Sequence, residues 1–368
     1  MTPAERARAQ LAALARAGAL PPGCRRAATL GDPGTLLRDL NGQDILLRVP
    51  LLGDDREGRG YLDIALVRDF GTVLYSFSHG EPWDEERVRA EAAVAGLPRD
   101  GPFVAYEYPR VGLEVERSAE VWRVRDWLSG EVETIAGTPP EGRAVAPYSL
   151  LESLSPTLRR ANVEQYNALV EGLDALSLEQ ASAVVVPPPA GVMVEIKYSK
   201  CPQSHVCFEL RRQAPHRCVP ASVEMLLAFY RYEYSQRDIA CALGQEISGV
   251  GGVELNSGKE YMVLKALSQL SADALQPRMY ARAFWEVITH EIGCDRPLIL
   301  FSGGHARVVA GYSTTPIGTA TCQGLILYDP QGFAVCWEKF NPSCELLLFS
   351  AKLRHWSPPG GGTVRACT

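Results

Sequence analysis

Cys218 stands in the run Gln213, Ala214, Pro215, His216, Arg217, Cys218, Val219, Pro220, Ala221, Ser222, and the apolar residues Val223, Leu226, Leu227 and Tyr230 follow it at helical spacing. Pro220 belongs in a first turn, where a missing N–H costs nothing. The spacing therefore predicts that Cys218 lies at or just before a helix N-terminus. The partial positive charge there favours a thiolate, and Arg217 next to it adds to the effect. A thiolate is the form of cysteine that attacks carbonyl carbon.

A thiolate nucleophile needs a base, and the base needs an orienting group. Pro297–Phe301 (PLILF) reads as a buried strand, and Ser302-Gly303-Gly304 then turns the chain into His305. His305–Tyr312 (HARVVAGY) is strand-like again, which puts His305 at the mouth of a strand. Gly324–Tyr328 (GLILY) is the next strand and ends at Asp329-Pro330. Adjacent antiparallel strands would bring Asp329 beside His305, where its carboxylate can fix the imidazole tautomer.

These motifs resemble the papain-like cysteine peptidases, above all the double-glycine leader peptidase branch and its bacterial relatives. The likeness rests on Gln-x4-Cys-x-Pro-Ala-Ser, a Gly-Gly-His leading into an apolar strand and Gly-Tyr, and an apolar strand ending in Asp-Pro. It covers residues 200–355. The resemblance implies that Cys218 is the nucleophile, His305 the general base, Asp329 the residue that orients it and Gln213 a donor to the oxyanion. Ser235-Gln236, Ile239-Ala240 and Leu243-Gly244 match the short helix that follows in such folds; read on their own, they make a capped helix ending at Gly244. Three departures stand out: Val219 replaces the usual Gly, Gln213 is five residues before Cys218 rather than six, and Asp329 lies 24 positions after His305. That last gap implies a hairpin insertion around Thr314–Cys322.

Each residue also has a plainer reading. Cys218 would serve as a buried cysteine near a helix start, His305 as a turn residue after two glycines, Asp329 as an ordinary strand ending and Gln213 as a loop amide. Cys201, His205, Cys207, His216 and Cys218 are all possible zinc ligands, but the spacing C-x3-H-x-C-x8-H-x-C does not match paired knuckles. Zinc would also consume the proposed nucleophile. Gly249, Gly251 and Gly252 lack the Lys-Ser/Thr of a phosphate loop and read as a connecting or substrate-facing loop. No cofactor and no metal are expected.

The elements that must position these residues belong to a chain of 368 residues, 46% apolar and 22% charged, with a net charge of −6. At roughly 100–200 residues per domain this suggests two domains. The acidic balance argues against nucleic acid as the partner. Residues 1–150 hold 18 bases, all arginine, against 23 acids; the first lysine is Lys197. No stretch approaches the roughly 20 apolar residues of a membrane span. The start, with Thr2, Pro3 and Glu5 forming a capping box, reads as a surface helix rather than a transit or secretion signal. Ten cysteines without such a signal point to reduced thiols in a cytoplasm.

The expected fold class is α+β, in which a papain-like catalytic domain (a helical lobe plus an antiparallel sheet lobe) follows a smaller α+β domain and a helical connector. The boundaries read as 1–148 for an N-terminal recognition or inhibitory domain, 149–199 for the connector with Pro187-Pro188-Pro189, 200–357 for the peptidase domain and 358–368 for a tail. Strands are expected at Asp44–Leu52, Tyr61–Arg68, Thr72–Phe77, Phe103–Tyr108 and Val111–Glu116, with helices at Glu81–Gly96 and Pro156–Leu176. An apolar stripe covers Val121, Val124, Trp127 and Leu128. The function expected is hydrolysis of a protein or peptide substrate through an acyl-enzyme, with intramolecular docking of the N-terminal domain on the peptidase domain and self-cleavage in the connector as further options. Two other classes share these residues: a papain-fold acyltransferase of the phytochelatin-synthase kind, and a binding module that keeps the fold as scaffold.

Overall fold

The computed structural model describes residues 1–20, 29–31, 34–52, 58–118, 121–136, 149–151, 154–181, 192–195, 208–244, 260–281, 284–302, 304–341 and 347–354. The Pro187–Pro189 connector, the Gly249–Gly252 loop, Cys201, His205, Cys207, Gly303 and the tail from 358 lie outside them. The described residues are a mixed α+β structure of seven α-helices and sixteen strands. Two compact units divide the chain. One comprises Met1–Met193, Ser313–Ile326 and Ala334–Cys344, the other Val194–Tyr312, Leu327–Phe333 and Glu345–Thr368.

The first unit opens with α1 (Pro3–Arg16), whose start is closed by the Thr2–Glu5 capping box. Strands β1 (Thr29–Leu30), β2 (Thr35–Arg38), β3 (Asp44–Leu52), β4 (Gly58–Ala65) and β5 (Leu74–His79) lead to α2 (Glu85–Val94). Then come β6 (Phe103–Glu107), β7 (Arg110–Arg117), β8 (Val121–Asp126), β9 (Val132–Ala136) and the long helix α3 (Pro156–Ala181). The expected strands are all present, and β3 coincides with its expected bounds. Helix α2 is shorter than Glu81–Gly96 because Asp84 accepts from the Arg87 N–H and sets the start there. The stripe around residue 125 proves to lie on β8 and the turn after it. His79 is the last residue of β5.

Neighbouring strands of this unit pair in the order β5-β4-β3-β2-β6-β7-β8-β9, antiparallel except for β2 with β6. On one face Leu37, Ile45, Trp83, Val88, Phe103, Leu113 and Trp127 close an apolar core. Trp83 meets the rings of Phe103 and Trp127, each at 5.1 Å. Within it lies a charged pair with no exposure, Arg48 and Asp63, joined by two hydrogen bonds of 2.8 and 2.9 Å. Tyr108 and Ser76 also donate to Asp63, and the Tyr61 ring lies 3.8 Å from the guanidinium. The carboxylate is thus well supplied with donors, while Arg48 Nη1 is buried without a hydrogen-bond partner.

The second unit starts at the end of β10 (Val192–Glu195) and holds helices α4 (Cys218–Phe229), α5 (Gln236–Ala242), α6 (Tyr261–Leu270) and α7 (Trp285–Gly293). Its strands are β11 (Leu275–Tyr280), β12 (Leu298–Ser302), the first part of β13 (His305–Ile317), the end of β14 (Ala320–Asp329) and β16 (Leu347–Leu353), with β15 (Ala334–Lys339) belonging to the first unit. The sheet order here is β11-β16-β12-β13-β14. β12 is buried at every position, as its apolar run requires. The chain leaves this unit at Ser313 and returns at Leu327, so the expected insertion is the outer part of a long hairpin, closed at Gly318 and Thr319.

Four described cysteines, Cys218, Cys241, Cys322 and Cys336, are in no disulfide, whereas Cys294 is disulfide-bonded. The expectation of reduced thiols throughout is corrected at that residue. No helix among the described residues is long and apolar enough to cross a membrane.

Candidate functional site

Cys218 is the first residue of α4, and the chain reaches it through a turn closed by the Arg217 N–H on the Ala214 carbonyl at 3.0 Å. His216 takes the left-handed conformation in that turn, with φ at 55°. Val219 to Val223 are buried, so the helix start is anchored in the core of its unit while Cys218 itself stays half-buried. No acid occupies the first turn, which leaves the positive end of the helix facing the thiol.

His305 is the first residue of β13 and pairs with Ser302 of β12, so the register of the two strands fixes where its ring can lie. Asp329 is the last residue of β14. Both side chains are buried, and His305 Nε2 lies 2.9 Å from Asp329 Oδ1. The same oxygen accepts from the main-chain N–H of Gln331 at 2.9 Å and of Gly332 at 3.3 Å, which holds the carboxylate in one orientation. On its other side the imidazole hydrogen-bonds the Cys218 thiol. With Nε2 given to Asp329, Nδ1 is the ring nitrogen left for that bond.

Burial alone would push His305 down, but the Asp329 charge and the hydrogen bonds to Asp329 and Cys218 outweigh it and raise the imidazole to about 9. Burial likewise pushes Asp329 up; the imidazole beside it, then Arg307 and the Gln331 N–H, carry it below its ordinary value. At neutral pH the arrangement therefore holds a proton on His305 against a negative Asp329, with a thiol next to the cation. That is chemistry for generating and using a thiolate.

Gln213 is half-buried, and its Oε1 atom is buried without a hydrogen-bond partner. Its main-chain N–H donates to the Pro330 carbonyl at 2.9 Å, tying it to the turn that carries Asp329. All four sequence-derived residues thus lie in the second unit. Of the suggested zinc ligands, His216 and Cys218 are described, and Cys218 is engaged with His305.

Two neighbours were not singled out for chemistry. Arg307, two residues after His305 on the same strand face, is buried and acts on Asp329; a lone arginine inside the apolar run HARVVAGY was the available signal. Gln236, read only as part of a helix start, makes side-chain hydrogen bonds to both residues that flank Gln213.

Residues 205–343 match the Peptidase_C39 like family. The segment whose motifs resemble the double-glycine leader peptidases is accordingly a Peptidase_C39-like segment, and it accounts for less than half of the chain. Among solved structures, the peptidase domain of Streptococcus ComA, a bi-functional ABC transporter involved in a quorum sensing pathway, is 15% identical, with a TM-score of 0.28 over 40% of this chain and 99% of its own. UfSP from C. elegans is 12% identical, with a TM-score of 0.30 over 48% of this chain and 37% of its own. No curated protein sequence matches the chain.

Proposed function

We propose that the Peptidase_C39-like segment is a cysteine peptidase in which Cys218, His305 and Asp329 act as a triad. The observation that supports this reading is the placement of one imidazole between a thiol and a buried carboxylate. The protonated His305 favours Cys218 as a thiolate, and the thiolate sulfur bonds to the substrate's carbonyl carbon. The Gln213 side-chain amide and the Cys218 main-chain N–H donate to the oxyanion that forms. Collapse of this intermediate breaks the C–N bond, and His305 gives its proton to the departing amine. His305 then takes a proton from water, whose oxygen attacks the thioester and releases the acid, leaving the Cys218 thiolate beside the protonated His305. Throughout, Asp329 fixes the imidazole and balances its charge without itself becoming protonated.

The test is to incubate a peptide library with the wild-type chain and with Cys218→Ala, reading cleavage by mass spectrometry. Cleavage by the wild type alone is the expected result; identical product patterns from the two would overturn the reading. Including a small amine separates hydrolysis from acyl transfer, because each adds a different mass to the acyl product.

A further inference from the structure

We propose that Gln236 is a positioning residue of this site: its side-chain amide clamps the main chain on both sides of Gln213 and so sets where the oxyanion donor lies. The inference rests on the cysteine peptidase reading. Gln236 Oε1 accepts from the Ala214 N–H at 2.8 Å, and Nε2 donates to the Arg212 carbonyl at 2.8 Å. Nε2 also donates to Glu224 Oε2 at 2.9 Å.

These bonds do a task that capping does not explain. The start of α5 is already closed by Ser235 and Asp238, which exchange hydrogen bonds as a capping box. Gln236 is free to face the neighbouring loop instead, and it spends both ends of its amide there. A side chain with an acceptor and a donor at that reach is needed, because one flanking residue offers an N–H and the other a C=O. Glutamate has no donor, and asparagine is one methylene shorter.

The clamp also links the two groups that would meet the oxyanion. Glu224 lies on α4, the helix that begins at Cys218, so Gln236 joins the Gln213 loop to the helix whose first N–H is the other donor. The Gln213 N–H is held by Pro330 in addition. Residues 212, 213 and 214 are thus each fixed through the main chain, while the Gln213 Oε1 has no partner of its own. Rigid main chain beneath a donor is what keeps it aimed where charge develops.

Two probes of the full-length chain separate this role from a structural one. Acylation of Cys218 by p-nitrophenyl acetate passes through an oxyanion; alkylation by iodoacetamide displaces iodide from a saturated carbon and does not. Gln236→Ala should slow acylation on the order of 10-fold to 100-fold, as a misplaced group does, while alkylation stays within about twofold. Gln213→Ala should show the same split. Gln236→Glu should be slow in acylation, and the addition of Glu224→Gln, which restores a donor between the two helices, should recover part of the loss. Equal acylation by Gln236→Ala and wild type would overturn the proposal, as would a parallel fall of both rates. If the wild type is not selectively modified at Cys218 by either probe, the peptidase reading itself fails, which is a different result from either of these.

Discussion

His305 and Asp329, 24 positions apart, meet at 2.9 Å through Nε2 and Oδ1 at the base of one hairpin. The hairpin's outer part can therefore be long without changing the pair, because only its first and last residues carry the site. The carboxylate is what raises the buried imidazole to about 9 against the cost of burial. In Asp329→Asn that support is lost. Histidine NMR titration should show the His305 resonance near 9 in the wild type and lower by about 1–3 units in the variant. An unmoved titration would show that another charge holds the proton.

The same pair makes folding depend on pH in two directions. His305 is raised above its ordinary 6.5, so its contribution is fully present below 6.5 and is lost as pH rises through about 9. Asp329 is lowered from 3.8, so its contribution is present above that value and is lost as pH falls through the lower folded value. Relative to a His305→Ala/Asp329→Ala double variant, the denaturation midpoint of the wild type should be most advantaged between these limits. It should lose that advantage from pH 6.5 to 9. A constant difference across this range would contradict the pairing.

Arg48 and Asp63, buried at the core of the first unit, cannot be separated cheaply. Asp63→Ala leaves a guanidinium without its carboxylate and should cost about 3–5 kcal/mol in urea denaturation. Replacing both with apolar residues should cost much less, since the charge to be buried is then gone. Equal losses for the single and double changes would show that packing, not charge, sets the cost.

In the first unit, α3 and the β13–β14 turn touch through two glycines. A Cβ on Gly172 would lie 2.8 Å from Gly318 N, and Gly318 has φ at +59°. Gly172→Ala should lower stability by about 1–3 kcal/mol. Gly293→Ala has open space around it and should be neutral or stabilising. Two equal effects would rule out contact as the cause.

Much of this fold could be read in the chain because the signals were local. The Thr2–Glu5 box, Pro220 after Cys218 and the apolar run of β12 each fixed an element by rules acting within a few residues. His305 and Asp329 were readable because strand alternation and hairpin pairing carry two distant residues to one end. What escaped was set by tertiary contact. Gln236 looked like one more residue at a helix start, and only the folded loop shows which groups its amide reaches. The division of β13 and β14 between two units left no mark in hydrophobic period, since the strands continue across it.

The central claim is that the imidazole of His305 activates Cys218, and selective labelling measures it most directly. The chain is treated at pH 6 with limiting iodoacetamide, and the adduct is weighed and mapped in wild type and in His305→Ala. An ordinary cysteine, with a pKa near 8.5, is about 0.3% thiolate at that pH, so loss of the imidazole should slow labelling on the order of 100-fold. The account predicts fast single labelling at Cys218 that collapses in the variant. Slow labelling spread over several cysteines, the same in both proteins, would contradict it.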